Sequence, residues 1–108
     1  MKRGEVRWYT FKVPDKRRPV LILTRDSAIV LLNAVTIAPI TSTVRDIPTE
    51  VYLTPADGMH AECAVNLDNI QTVPKGNLGP LIATLSSERM EEVKQAIRFA
   101  LGFDSPLF

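Results

Sequence analysis

Arg18 stands directly before Pro19, and further along the chain Thr41, Ser42 and Thr43 set three hydroxyls in a row. An arginine and a cluster of hydroxyls suit one task well. The guanidinium fork stays charged and can grip two oxygens of one phosphoryl group, while hydroxyls add neutral donors. What the chain lacks is the means to activate a nucleophile of its own or to hold a metal. It has one histidine, His60, and one cysteine, Cys63, and shows neither a Cys/His cluster, nor a Ser/His/Asp motif, nor a glycine-rich phosphate loop. His60 falls in the turn region 58–62 without an evident orienting partner and reads as a surface histidine. Cys63 opens an apolar strand with no basic residue beside it, so it reads as a buried, inert thiol.

One reaction fits that inventory. In RNA transesterification the substrate's own 2′-hydroxyl attacks the adjacent phosphorus, and the protein has only to align the attack and steady the extra negative charge. Arg18 and Thr41, with Ser42 and Thr43 beside them, form the candidate set. Taken alone, a basic strand edge next to a hydroxyl-rich turn is the simpler account of the same residues.

The elements that must position these groups are short. Val6, Trp8 and Thr10 alternate with polar neighbours at strand period, and this alternation puts Trp8 with Val6 in the core, although an indole there could also stack on a base. Residues 12–18 read as a charged connection with a turn at Pro14 and Asp15, and Pro19 to Thr24 as a strand apolar on both faces, hence central. A second apolar run leads into a β-branched strand from Ala34 to Ile40, which stops at the three hydroxyls. If these two strands are antiparallel neighbours, the start of one, with Arg18, lies beside the end of the other, with Thr41. Short strands follow at 50–53, 63–67 and 71–73, with a turn at 55–58 and a loop at 75–80. Met90, Val93, Ile97, Ala100 and Leu101 then recur at helical spacing, so a helix is expected over about 87–101, capped by Ser86 or Ser87 and stopped at Gly102. The expectation is one domain over residues 1–108: a mostly β protein with a C-terminal helix packed on a small, curved sheet or barrel.

Composition narrows the function. The 108 residues are 45% hydrophobic and 23% charged, an ordinary globular balance, and the longest apolar stretch, 28–40, is too short and interrupted to span a membrane. Gly4, Glu5 and Arg7 occupy the place where a signal peptide would turn apolar, so a cytoplasmic protein is expected. The net charge of +1 conceals an asymmetry: residues 1–25 hold eight basic and two acidic side chains, and residues 26–108 five basic and ten acidic. Positive charge gathered at one end presents a local field to a polyanion.

Five segments in order then resemble the MazF/PemK family of toxin endoribonucleases: 2–8 (KRGEVRW), 18–23 (RPVLIL), 38–43 (APITST), 48–51 (PTEV) and 69–75 (NIQTVPK), followed by the closing helix into Leu101-Gly102. The resemblance covers essentially the whole chain. It implies a PemK/CcdB-type, SH3-like barrel, a homodimer, and growth inhibition by metal-independent, ribosome-independent cleavage of single-stranded RNA at short sequences, leaving a 2′,3′-cyclic phosphate and a 5′-hydroxyl. No cofactor is implied. The family's arginine before proline falls on Arg18 and its hydroxyl after the Pro-Ile strand end on Thr41, both associated with catalysis. RNA contacts are expected from Lys16, Arg17, Ser42, Thr43 and Gln71. The implied partner is a small antitoxin whose acidic, disordered segment folds into the substrate groove.

Three departures from the family pattern stand out. The 12–17 connection is short, Gln71 replaces an arginine, and Glu62-Cys63 replaces an Asp-Ser pair. No carboxylate carries over as general base, and Asp15 sits in a turn. Two competing readings belong to the same fold: a gyrase poison of the CcdB branch, which relies on a C-terminal tryptophan that this chain lacks, and an inactive relative that binds RNA or a peptide.

Overall fold

The computed structural model describes residues 1–12 and 16–106; the expected turn at Pro14 and Asp15 lies outside them. Seven strands appear: β1 (Glu5–Phe11), β2 (Lys16–Ile22), β3 (Ala34–Thr41), β4 (Glu50–Leu53), β5 (Cys63–Asn66), β6 (Gln71–Pro74) and β7 (Leu81–Thr84). A single helical turn, α1 (Asp26–Ile29), joins β2 to β3, and the long helix α2 (Ser87–Leu101) closes the chain. Strand β2 starts at Lys16, earlier than the sequence suggested, because β1 carries its ladder on to the pairs Thr10–Arg17 and Phe11–Lys16. Lys16, Arg17 and Arg18, read as part of the connection, are therefore strand. Strand β7 escaped the sequence reading. It is short, with mixed burial, and is held on the edge by antiparallel pairing to β1.

The strand order is β4-β5-β3-β2-β1-β7, with β6 also on β3. Strand β3 is the hub. One edge pairs antiparallel with β2 from Ile37–Ile22 to Pro39–Val20. The other edge serves two partners in turn, β6 up to Ile37–Gln71 and β5 from Ile40–Val65 onwards. Ala38 and Pro39 fall in the gap between them. Strand alternation turns the nitrogen of Pro39 toward that gap, since Thr36 N–H points the other way to Thr24 Oγ1 (2.8 Å). A residue without an N–H leaves nothing unsatisfied there.

Both faces of the central strands are buried, as the unbroken apolar run of β2 requires. One face, with Val6, Leu21, Ala38 and Ile40, packs with Leu53, Val65 and Leu67 under Val93 and Ala96 of α2. The other gathers Val20, Ile22, Val35, Ile37 and Val73 with Ile29, flanked by Tyr9 and Phe11. The helix matches its sequence signals. Ser86 Oγ accepts from Arg89 N–H (3.1 Å), a cap worth about 1 kcal/mol, and Gly102 ends the helix at φ 79°, a conformation that favours glycine. Among the described residues no helix is long and apolar enough to cross a membrane.

Candidate active site

Strand β2 emerges from the core as it is followed backwards. Val20 to Ile22 are fully buried, Arg18 and Pro19 half-buried, and Lys16 and Arg17 exposed. Side chains alternate across the sheet, so Arg18 shares the face of Val20 while Arg17 and Pro19 share the opposite one. The β2–β3 register continued by two residues sets Arg18 across from Thr41, the last residue of β3. At this end of the sheet lies a cleft of about 380 Å³ that both residues line.

Of the residues expected to do chemistry or bind RNA, Arg18, Thr41, Lys16, Thr43 and Gln71 line this one cleft. Arg17 and Ser42 do not. Arg17 projects from the other face, its guanidinium 4.2 Å above the Trp8 ring, and Ser42 lines a separate recess beside Trp8. Trp8 itself is only half-buried and stands outside the Val6 core cluster, because the α2 residues that cover Val6 do not reach it. Core placement by alternation was correct about the face and wrong about how far the covering layer extends. His60 is exposed, as expected. Cys63 is buried, and desolvation pushes its thiol above the ordinary range, so it stays protonated and inert at neutral pH.

The electrostatics of the cleft are one-sided. Among the described residues nothing forms a hydrogen bond or ion pair with the Arg18 guanidinium or the Lys16 ammonium, and no carboxylate or imidazole lines the cleft. Thr43 N–H donates to Thr41 Oγ1 (3.1 Å), which occupies an acceptor site on that oxygen and leaves the hydroxyl proton to be donated elsewhere. Sequence reasoning missed Arg45, Asn66, Asn69 and Phe11, which with Pro39 complete the lining. Arg45 is already neutralised: its Nε donates to Glu50 Oε2 (2.7 Å) and its backbone N–H to Oε1 (2.9 Å), with the Glu50 side chain only 2% exposed. Asn66 is recruited by its role as a cap, its Oδ1 accepting from Asp68 N–H (3.0 Å). A short polar residue just past a strand was the available signal. Among the described residues no group of three His, Cys, Asp or Glu is placed to hold a metal.

Residues 2–101 match the family model described as the PemK-like, MazF-like toxin of type II toxin–antitoxin systems. The chain belongs to the MazF/PemK family. Endoribonuclease MazF3 of Mycobacterium tuberculosis is 42% identical over 90 residues, covering 83% of this chain and 87% of the relative. Among solved structures, the Mycobacterium tuberculosis toxin MazF-mt6 superposes with a TM-score of 0.83 at 38% identity, over 91% of this chain and 96% of that one. A mycobacterial endoribonuclease in complex with its cognate antitoxin gives 0.86 at 29% identity, over 98% and 99%. This MazF-type chain is thus a toxin endoribonuclease on a half-barrel with one C-terminal helix. The gyrase-poison reading gives way to that kinship.

Proposed function

We propose that this chain cleaves single-stranded RNA at short sequences, independently of the ribosome, with Arg18 and Thr41 as its catalytic residues. The substrate's 2′-hydroxyl gives its proton to water as its oxygen attacks phosphorus and forms a new P–O bond. The P–O5′ bond breaks, and the departing oxygen takes up a proton from water, so protons and charge balance. The products are a 2′,3′-cyclic phosphate and a 5′-hydroxyl, with no change of oxidation state. Arg18 grips the non-bridging oxygens as their charge grows, and the Thr41 hydroxyl donates to the same group. Lys16, Thr43 and Gln71 hold the flanking backbone. A cation and neutral donors suffice for this charge stabilisation, so the reaction needs no metal.

The observation that supports this reading most is that Arg18 faces the same cleft as Thr41 and, among the described residues, has no partner and no carboxylate beside it. A preorganised cation left without a counterion in a folded protein is available to a phosphate. No described residue of the cleft can take the 2′-hydroxyl proton as a carboxylate or imidazole would, and Asp15 lies outside the described residues. In the cell we place the protein in the cytoplasm as a homodimer, held inactive by an antitoxin whose acidic segment occupies the cationic cleft. The antitoxin-bound relative supports that pairing.

The test is a long unstructured RNA incubated with purified, antitoxin-free protein in EDTA, with the ends mapped. Sequence-restricted cuts leaving 5′-hydroxyl ends are expected. Intact RNA, or activity only after a divalent cation is restored, removes the proposal.

A further inference from the structure

On the opposite side of the sheet from Arg18 lies a smaller recess that shares Thr41 with the cleft. Its floor is apolar, with Trp8, Met59 and Ile82, and its rim is polar, with Ser42, His60 and Glu62. Two features keep this apolar surface from being mere unfinished core. The Trp8 backbone is held firmly: Gly79 N–H donates to its carbonyl (2.8 Å), and a Cβ on Gly79 would come within 3.2 Å of that oxygen, so only glycine sits there without displacement. The indole also carries the Arg17 guanidinium 4.2 Å from its ring centroid, a cation–π pair presented at the surface.

From this geometry we infer that the recess is a nucleobase-binding subsite, which takes one unpaired base of the RNA whose phosphate lies in the Arg18 cleft. The inference rests on the proposed nuclease reading. Unstacked bases settle on aromatic rings and on arginine planes, and both are offered here in one stack. The volume, about 160 Å³, lies well below that of sites for drug-sized ligands, and fits a single ring system rather than a length of chain. Thr41, at the open end of β3, lines both sites, and the proposal routes the RNA around that strand end. The rim reads the base edge. Tyr52 O–H donates to Glu62 Oε1, which leaves Oε2 to accept from an exocyclic amino group. Adenine, guanine and cytosine carry one; uracil does not.

Trp8 is the chain's single tryptophan, so its emission reports on this recess alone. The experiment titrates full-length Arg18→Ala protein with a labelled unstructured RNA, reading anisotropy of the RNA and Trp8 emission on the same samples. Quenching that shares its midpoint with the anisotropy is expected. Trp8→Ala should weaken RNA binding by about tenfold or more, the scale of one lost stacked base. Glu62→Gln, at an exposed position where the amide oxygen can still accept from Tyr52, should raise KM more than it lowers kcat and admit uracil at one position of the cut sequence.

Rising anisotropy with unchanged emission, or a Glu62→Gln protein that cuts the parent sequences with the parent KM, overturns the subsite. So does emission that follows protein concentration instead of RNA, which would assign the recess to a second copy. Failure of the nuclease reading looks different: wild-type protein then leaves RNA intact in EDTA while Trp8 emission still tracks binding.

Discussion

Arg18 and Arg89 are the same side chain under opposite conditions. Arg89, on the first turn of α2, is fully engaged: Nε and Nη2 donate to the two oxygens of Asp57 (3.0 and 3.2 Å), and Nη1 reaches Glu92 (3.1 Å). That fork ties the helix to the turn after β4, and the Arg89 and Asp57 side chains are mostly covered while Glu92 is half exposed. Arg18, at the open end of β2, has no such partner among the described residues. The Arg89 guanidinium holds the fold together, and that of Arg18, at the mouth of a cleft, is the one proposed to meet the substrate.

The contrast makes separable predictions. Arg18→Ala should reduce the cleavage rate by about 10²-fold or more, the scale of one lost transition-state donor, with little change in Tm; cleavage kinetics and a thermal melt on one preparation check both halves. Arg89→Met should do the reverse, costing roughly 2 kcal/mol of stability, the scale of a charge-assisted hydrogen bond, while the rate of the folded enzyme holds. A melt unchanged in Arg89→Met, or one that collapses in Arg18→Ala, breaks the comparison. Thr41→Val should lower the rate by about tenfold, less than the arginine, because a neutral donor is about half as strong as a charged one.

The smallest effect is one of pH. The Arg89 hydrogen bonds hold the Asp57 carboxyl below the usual carboxylate range, against an opposing contribution from burial. As the pH falls, the unfolded chain takes up this proton first. The stability Asp57 contributes is therefore complete above the ordinary carboxylate range and is lost as the pH drops through its folded value. Urea midpoints followed from neutral pH downward should fall less steeply in Asp57→Asn than in the parent.

Much of this architecture is legible in the letters. The unbroken apolar run 20–23 marked β2 as central, the helical spacing from Met90 to Leu101 and its Ser86 and Gly102 signals bounded α2, and antiparallel neighbours put Arg18 near Thr41. Alternation tells which side of a strand a residue takes but not how much of that side another layer covers, which is why Trp8 was assigned to the core. Arg17 and Arg18 were grouped because residues 12–18 read as a loop; once they belong to a strand, period two must separate them. Arg45, Asn66 and Asn69 come to the cleft from segments remote in sequence, and only the tertiary fold assembles them.

The interruption at Ala38-Pro39 carries a design consequence. Because β5 and β6 take over from each other along one margin of β3, the β4–β5 hairpin, with its 54–62 connection, is paired to the central strands only past that break, at Ile40 and Thr41. The β2–β3 ladder runs along the other margin and ends at Val20–Pro39, so Thr41, paired with Ala64, takes its hold from the hairpin. Grafting a relative's hairpin here would therefore reset the end of β3 at Ile40 and Thr41, while the pairing from Ile37 to Pro39 would keep its register.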